Sequence, residues 1–226
     1  MGGSFRRPSS RQELLEREAA GLWQAQKLAR SIGEKKEKIT IDAIRRIHRV
    51  FFEYVTPEMA GKFRVDGQNI KKLRCMTPPP GIAVQGRMYE FWYELDAKIS
   101  AMPTKPAEAR GKKTKKKNLE LWNDQVIGLA AWTQYKMAAI HPFADGNGRM
   151  ARIMTNLILY RFGLQPTDIK YEGENKERYL EALCAIDHEN DFRPLKQLIV
   201  KGIYRSYGQL LAAQKRAKAV AGNKNK

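Results

Sequence analysis

Apolar residues recur every three to four positions along most of this chain, whereas the alternation that is typical of strands is scarce. This spacing predicts amphipathic helices. About seven are expected, at residues 12–31, 40–54, 84–101, 119–140, 148–162, 175–185 and 192–207. The fourth is the most apolar, and we expect it to be the central buried element. The pattern therefore predicts an all-α fold.

Two of these helices allow more detailed predictions. In the first, positions at turn spacing predict a buried face, which consists of Leu15, Ala19, Leu22 or Trp23, and Gln26. In the fourth, Pro142 disfavours helical geometry at His141, so the helix is expected to end at or just before that histidine. The ring of His141 should then face the loop that follows.

The segment 61–81 interrupts the helical pattern. Asp66–Gly67 is a turn signal, and Pro78, Pro79 and Pro80 close the segment before Gly81. Because proline and turn residues interrupt helices, we expect no helix here. A small β-hairpin flap is the structure that these residues favour.

The chain has 226 residues and a formal net charge of +18, and part of that charge lies in segments with few apolar residues. We predict a flexible N-terminus at 1–11, a helical domain at 12–208 and a basic C-terminal tail at 209–226. Residues 103–118, PTKPAEARGKKTKKKN, are predicted to be a lysine-rich loop insertion in that domain. An alternative for the lysines is a patch that binds nucleic acid or an acidic partner.

The cysteines and the hydropathy of the chain predict where in the cell the protein is located. Cys75 and Cys184 match no metal or redox spacing, so we predict two reduced, buried thiols. The chain has no apolar run that could span a bilayer and no signal-peptide core. The expected location is the cytoplasm, or the inside of another cell after delivery as an effector. His48 and His188 lack metal-spaced neighbours and are expected to be structural.

The densest group of reactive residues is the run HPFADGNGRMAR at 141–152, at a predicted loop-to-helix junction. Its glycines let main-chain N–H groups approach an anion, and the following helix adds its positive dipole end. The histidine can accept a proton near neutral pH, and the arginines suit phosphate oxygens. The aspartate is compatible with a phosphate when Mg²⁺ lies between them. The run therefore predicts a phosphate-handling site with its own base.

This run resembles the signature of the Fic (filamentation induced by cAMP) domain family, H-x-F-x-(D/E)-G-N-G-R-x-x-R, at every defined position. Weaker likenesses, such as AGKFR at 60–64 and YLEAL at 179–183, extend the resemblance over roughly residues 40–200. The resemblance implies a Fic-like helical core. It also implies transfer of AMP from ATP to a Ser, Thr or Tyr hydroxyl of a target protein, with Mg²⁺ as the cofactor.

The resemblance further implies a role for each residue of the site. The implied roles are general base for His141, Mg²⁺ ligand for Asp145, anion cradle for Gly146, Asn147 and Gly148, and phosphate contacts for Arg149 and Arg152. Tyr179 either lines the adenine pocket or packs in the core. Residues of the flap, Arg64, Val65, Ile70 and Leu73, are expected to bind the target segment by strand addition.

Several alternatives stay open at this point. Gly148 stands where the Doc-type kinase branch has lysine, which favours transfer of AMP over transfer of phosphate. UMP and phosphocholine are alternative donors, and a basic nucleic-acid-binding module is the alternative from another class. The inhibitory pattern (S/T)-x-x-x-E-(G/N) of many family members has no match here. We therefore expect such an inhibitor to be a separate antitoxin-like protein or to be absent, and the chain fits either a toxin or an effector.

Overall fold

The computed structural model describes residues 6, 8–67, 70, 74–106 and 113–223, with side chains for all of them except 113–115 and 217–223. These residues form seven helices and no strand. The helices are α1 Arg11–Glu34, α2 Ile41–Phe52, α3 Gly81–Ser100, α4 Lys113–Ile140, α5 Asn147–Arg161, α6 Glu174–Glu189 and α7 Arg193–Asn223. The predicted all-α class is confirmed. Over the described residues, no helix combines the length and the apolar content that a membrane crossing requires.

Two helices are longer than the hydrophobic pattern predicts. α4 begins at Lys113, inside the predicted lysine-rich loop, and α7 continues to Asn223, through most of the predicted tail. Both extensions are rich in residues with good helix propensity, chiefly lysine, alanine and glutamine. A polar stretch of this kind carries no apolar periodicity, so its helical structure is invisible to a prediction based on periodicity.

The helices α4 and α5 form the centre of the domain. α5 packs against both α4 and α1, and α4 also contacts α3 and α7. Five apolar residues on one face of α5 are buried, namely Met150, Ile153, Met154, Leu157 and Ile158. Burying one such side chain contributes about 1.5–3 kcal/mol. The loop 141–146 between these two helices is therefore held by a well-packed pair.

The buried face of α1 differs from the predicted one. Leu15 and Trp23 are 51% and 55% exposed, whereas the buried residues are Gly21, Ala25, Ala29, Ile32 and Gly33. The small residues let α1 approach its neighbours closely, since a Cβ on Gly21 would collide with the carbonyl oxygen of Phe51. This face of α1 is buried because its small residues let the backbones approach closely, and not because it carries large apolar side chains. The spacing of apolar residues therefore predicted a different face.

The segment between α2 and α3 contains no helix in its described residues, as predicted. The predicted β-hairpin is not seen there. Instead, Phe63 forms an isolated antiparallel bridge with Phe143, and the N–H of Arg64 donates to the carbonyl oxygen of Pro142 at 2.9 Å. Residues 68, 69 and 71–73 of the predicted hairpin lie outside the described residues. The described main chain of this segment is thus paired with the loop that follows α4.

The prediction of two reduced thiols is wrong, because Cys75 and Cys184 form a disulfide with a Cα–Cα distance of 5.7 Å. The two cysteines are 109 residues apart in the sequence, so no local spacing could pair them. The fold brings the segment before α3 against α6. Two ion pairs of Arg74 lie at the same contact, with Glu177 at 2.8 Å and with Glu181 at 3.4 Å.

Candidate active site

The candidate base, His141, directly follows the last residue of α4, where Pro142 predicts the helix to end. Its φ of +51° lies in the left-handed region, and its side chain is half-buried. The ring Nδ1 lies 3.2 Å from the carbonyl oxygen of Ala138. Because that oxygen can only accept, Nδ1 carries the proton in the neutral ring and Nε2 is left as the acceptor. This is the tautomer that a general base requires.

The surroundings of His141 keep its ring neutral. Burial lowers the pKa of His141, and the positive charge of Arg64 lowers it further, while the hydrogen bond to Ala138 and the negative charge of Asp145 act in the opposite direction. A histidine whose pKa lies below its ordinary value is unprotonated at neutral pH. The ring can therefore accept a proton under physiological conditions.

The start of α5 is a helix N-terminus without a side-chain cap. Its N-cap is Gly146, with a φ of +78° and no side-chain cap. A Cβ at this position would collide with the rings of Phe51 and Phe52, so only glycine fits there. The first N–H groups of a helix have no partner within it. Without a capping side chain, the N–H groups of the first turn of α5 are available to an oxyanion.

Asn147 has a structural task in this loop. Its side chain is buried, its Oδ1 accepts from the N–H of Phe143 at 2.8 Å, and its Nδ2 donates to the carbonyl oxygen of Phe143 at 2.7 Å. These two hydrogen bonds close the loop between α4 and α5. The side-chain amide of Asn147 thus fixes the loop, whereas the resemblance implied that this residue belongs to an anion cradle.

The first arginine of the run, Arg149, already has an acidic partner. Its Nη1 lies 3.2 Å from Oε2 of Glu18 on α1, and its Nη2 lies 3.7 Å from Oδ2 of Asp145. Its guanidinium lies over the ring of Phe51, 4.6 Å from the centroid. No signal in the sequence pointed to Glu18, because 131 residues separate the two partners. Any anion that binds Arg149 must compete with this carboxylate.

The second arginine, Arg152, has no carboxylate partner among the residues that the structure describes. Within the described residues, its Nη1 is buried without a hydrogen-bond partner. The guanidinium lies over the ring of Tyr171, 4.8 Å from the centroid. A buried donor without an acceptor is costly, and a phosphate oxygen would supply the missing acceptor. Sequence reasoning missed Tyr171, since an aromatic residue in a loop shows no periodicity.

Tyr179 lies behind this arginine, in the core. Its side chain is 2% exposed, and its hydroxyl accepts from Nε2 of Gln134 at 3.2 Å. Oε1 of Gln134 in turn accepts from the hydroxyl of Thr155 at 2.8 Å. Burial raises the pKa of Tyr179. In this structure Tyr171, rather than Tyr179, has the exposed aromatic surface next to Arg152.

His48, which was expected to be structural, connects two parts of the site. Its Nδ1 accepts from the N–H of Gly61 at 2.9 Å, so Nε2 carries the proton and donates to the carbonyl oxygen of Asp145 at 3.1 Å. The ring stacks on Phe143 with a centroid distance of 3.7 Å, and burial lowers the pKa of His48 to about 4. His48 therefore holds the loop that presents Asp145. His48 and Asp145 are 97 residues apart, so no local pattern could predict this contact.

The predicted flap residues have different environments. Val65 is 63% exposed and Ile70 is half-buried, whereas Leu73 lies outside the described residues. Arg64 is only 4% exposed, and its side chain points to main-chain oxygens of the loop after α4. A cavity of about 630 Å³ lies between this segment, α2 and α3, and Ile82 contributes to its lining.

Two cavities flank the pair formed by Glu18 and Arg149. One, of about 690 Å³, is lined by the start of α1, the residues after α2, Glu18 and Asp145. The other, of about 100 Å³, is lined by Arg149, Arg152 and residues of α1 that include Gln26. The ion pair stands between the larger space and the smaller, basic one. α1 therefore lines both cavities.

Comparison with known proteins identifies the family of this chain. The Fic/DOC family model matches residues 38–159, which is more than half of the chain. The chain belongs to the Fic/DOC family. The resemblance seen in the sequence is thus confirmed. The match includes the segment after α2 and the run 141–152, while Glu18 and Tyr179 lie outside it.

Relatives and solved structures extend the comparison of this Fic/DOC chain. A protein adenylyltransferase Fic from Nematostella vectensis is 30% identical over 197 residues, which are 87% of this chain and 40% of that protein. A fragment of Fic-1 from C. elegans has a TM-score of 0.64 at 23% identity, and the match covers 96% of this chain and 56% of the fragment. The effector BepC from Bartonella tribocorum, with bound AMPPNP, has a TM-score of 0.58 at 16% identity, over 86% of this chain and 88% of its own. The two structures share the Fic/DOC fold, and the chain spans less than half of the Nematostella relative.

Proposed function

We propose that this chain transfers AMP from ATP to the hydroxyl group of a Ser, Thr or Tyr side chain in a target protein. One observation carries the proposal. A half-buried, neutral imidazole at the end of α4 is followed by an uncapped helix start and by a buried guanidinium nitrogen of Arg152 that lacks a partner within the described residues. A proton acceptor next to a phosphate cradle is what transfer from a nucleotide to a hydroxyl requires.

In this reaction His141 is the general base. Its Nε2 takes the proton of the target hydroxyl while the hydroxyl oxygen attacks the α-phosphorus of ATP. The bond from that phosphorus to the oxygen that bridges to the β-phosphate breaks, and pyrophosphate leaves. The first turn of α5 holds phosphate oxygens, and Arg149 and Arg152 offset the charge of the phosphates. Because such transfers depend on positioning and on electrostatic stabilisation, no covalent nucleophile is needed.

Asp145 is the residue that would hold Mg²⁺. Its carboxylate is exposed, one oxygen accepts from the N–H of Gly146, and the other lies 3.7 Å from Arg149. Lone pairs of both oxygens are thus left for a cation. Mg²⁺ takes one or two protein carboxylates and completes its shell with phosphates and water, so this residue fits. When bound, the ion would neutralise charge on the phosphates.

The comparisons support the choice of nucleotide and of reaction. The Nematostella relative is named a protein adenylyltransferase, and BepC holds AMPPNP, an ATP analogue. Gly148 leaves the first turn of α5 open, since a Cβ there would approach only Nη1 of Arg152, at 3.7 Å. A lysine at that position, as in the kinase branch, would place a side chain in this space. These points favour AMP over phosphate as the transferred group.

Labelled ATP tests the proposal directly. The protein is incubated with Mg²⁺, a cell lysate and ATP labelled at either the α- or the γ-phosphate. Transfer of the α-label and not of the γ-label is the expected result, because AMP retains only the α-phosphate. Transfer of the γ-label would identify a kinase instead. If neither label is transferred, the same assay with labelled UTP or CDP-choline tests the other donors, and salt-dependent binding of nucleic acid would support the binding module.

A second prediction concerns the ion pair between Glu18 and Arg149. Replacing Glu18 by Gln is expected to lower KM for ATP by about three- to tenfold, because removal of a carboxylate beside the phosphates leaves Arg149 free to bind them. Titration of ATP in the AMP-transfer assay measures this change. The sequence predicted that an inhibitor is a separate protein or absent, and activation by this substitution would reveal a restraint within the chain.

Glu16 provides the matched control for this prediction. It is exposed on the same helix and its described partner is Gln12, on α1. The substitution Glu16→Gln removes the same charge from α1 but not from the arginine, so KM for ATP should remain as in the wild type. Equal changes in both variants would show that the overall charge of α1, and not the contact with Arg149, determines the affinity.

A further inference from the structure

Arg64 is a buried cation whose hydrogen bonds, within the described part of the chain, all go to main-chain oxygens. Its Nε donates to the carbonyl oxygen of His141 at 2.7 Å, and its Nη2 donates to those of Pro79 at 2.5 Å and Ile140 at 3.3 Å. The residue is 4% exposed. Burying a guanidinium is expensive, and a residue that served only to pack would not need the charge.

The three carbonyl groups identify what Arg64 stabilises. The last carbonyl groups of a helix have no partner within it, and Arg64 binds that of Ile140, at the end of α4. It also binds the carbonyl of His141, which lies in the left-handed region with a φ of +51°. For a residue other than glycine this conformation is strained and persists only where the surroundings impose it. A hydrogen bond to the peptide group of His141 itself is such a constraint.

We propose that Arg64 is a positioning residue for the candidate base: its guanidinium fixes the peptide group after His141, and so the direction of the imidazole, to the segment that follows α2. This inference deepens the proposed function and rests on it. The coupling is reinforced by the main chain, since the N–H of Arg64 donates to Pro142 at 2.9 Å and Phe63 pairs with Phe143. The base is therefore linked directly to the segment that is expected to contact the target. Arg64 acts on the reaction through His141, which is the role of a positioning residue.

The charge of Arg64 acts on the same ring. The charged side chains that influence His141 are Arg64, which lowers the pKa of the imidazole, and Asp145, which raises it. Replacing Arg64 by Met removes the lowering effect, so the pKa of His141 should rise. A base works only when unprotonated, and the acid limb of kcat/KM against pH should therefore move to higher pH. Replacing Arg64 by Lys keeps the charge and loses the forked hydrogen bonds.

The experiment compares wild type, Arg64→Met and Arg64→Lys, with Lys62→Met as the matched control, since Lys62 is an exposed cation two residues away. In Arg64→Met, kcat for AMP transfer should fall by about 100-fold, as for a misplaced catalytic group, while KM for ATP should change less than about twofold. Arg64→Lys should have a lower kcat than the wild type, while the acid limb of its kcat/KM profile should stay at the wild-type pH. Lys62→Met should match the wild type.

NMR titration of the histidine Cε1–H signals provides a readout that does not depend on catalysis. The chain has only three histidines, so the spectrum of His141→Ala assigns the signal of His141. Its pKa should rise in Arg64→Met and stay near the wild-type value in Arg64→Lys. Circular dichroism shows whether Arg64→Met folds. If it does not fold, Arg64→Lys tests the inference, with a lowered kcat and an unchanged acid limb of kcat/KM against pH as the expected result.

Wild-type kcat in either Arg64 variant, or a pKa of His141 in Arg64→Met that equals that of the wild type, would overturn the inference. Failure of the proposed function is a separate result, because it appears as absence of AMP transfer in the wild-type protein. In that case the titration still reports whether Arg64 controls the ring of His141.

Discussion

Replacing His141 by Ala is expected to lower kcat for AMP transfer by about 10²- to 10⁴-fold, the usual contribution of a general base. The physical reason is that the substitution removes the proton acceptor Nε2. The phosphate contacts lie elsewhere, on the first turn of α5 and on its two arginines, so the Kd for ATP should change little. The label-transfer assay measures kcat, and calorimetric titration of ATP measures the Kd.

His188→Ala is the control for this prediction, because His188 is an exposed histidine on α6. It should leave both constants as in the wild type. A His141→Ala protein that keeps kcat within tenfold of the wild type would exclude His141 as the base. Loss of ATP binding in that variant would instead assign the ring to the nucleotide site.

Loss of the disulfide between Cys75 and Cys184 is expected to lower the free energy of unfolding by about 2–5 kcal/mol. The bridge closes a loop of 109 residues in sequence, and a long loop gains much conformational entropy in the unfolded chain when it is opened. For a domain of this size, a change of that magnitude lowers Tm by about 5–15 °C. Differential scanning calorimetry of the double variant Cys75→Ser with Cys184→Ser, beside the wild type, measures the shift.

Reductant supplies the internal control. Dithiothreitol should lower the Tm of the wild type to that of the double serine variant and leave the Tm of the variant unchanged. Titration of two free thiols in the untreated, unfolded wild type would contradict the pairing. Because cytosolic thiols are kept reduced, this disulfide disagrees with the cytoplasmic location that was expected from the sequence.

The helices of the centre were predictable because their signals are local. Pro142 ends α4 just before His141, and the apolar positions of α5 are the buried ones. Short-range rules of this kind need no knowledge of the partner surface. They failed where the neighbour determined the outcome, as on α1, where Gly21 lets the helix approach the main chain of Phe51.

The candidate site shows the same division. The residue types of the run 141–152 predicted a base, a metal ligand and an anion cradle. The structure adds the groups that hold and restrain them, and each of these contacts joins distant parts of the chain. Arg64 reaches His141 over 77 residues, and Glu18 reaches Arg149 over 131 residues. Neither contact leaves a trace in local spacing.

The sequence by itself determined the helical class, the family and the side chains that carry the chemistry, because periodicity and the signature run are properties of neighbouring residues. Only the tertiary structure decided the partners of those side chains. Glu18 pairs with Arg149, Arg64 binds the peptide group of His141, and Cys184 forms the disulfide with Cys75. These contacts depend on how helices pack, and packing is set by the shape of both surfaces together.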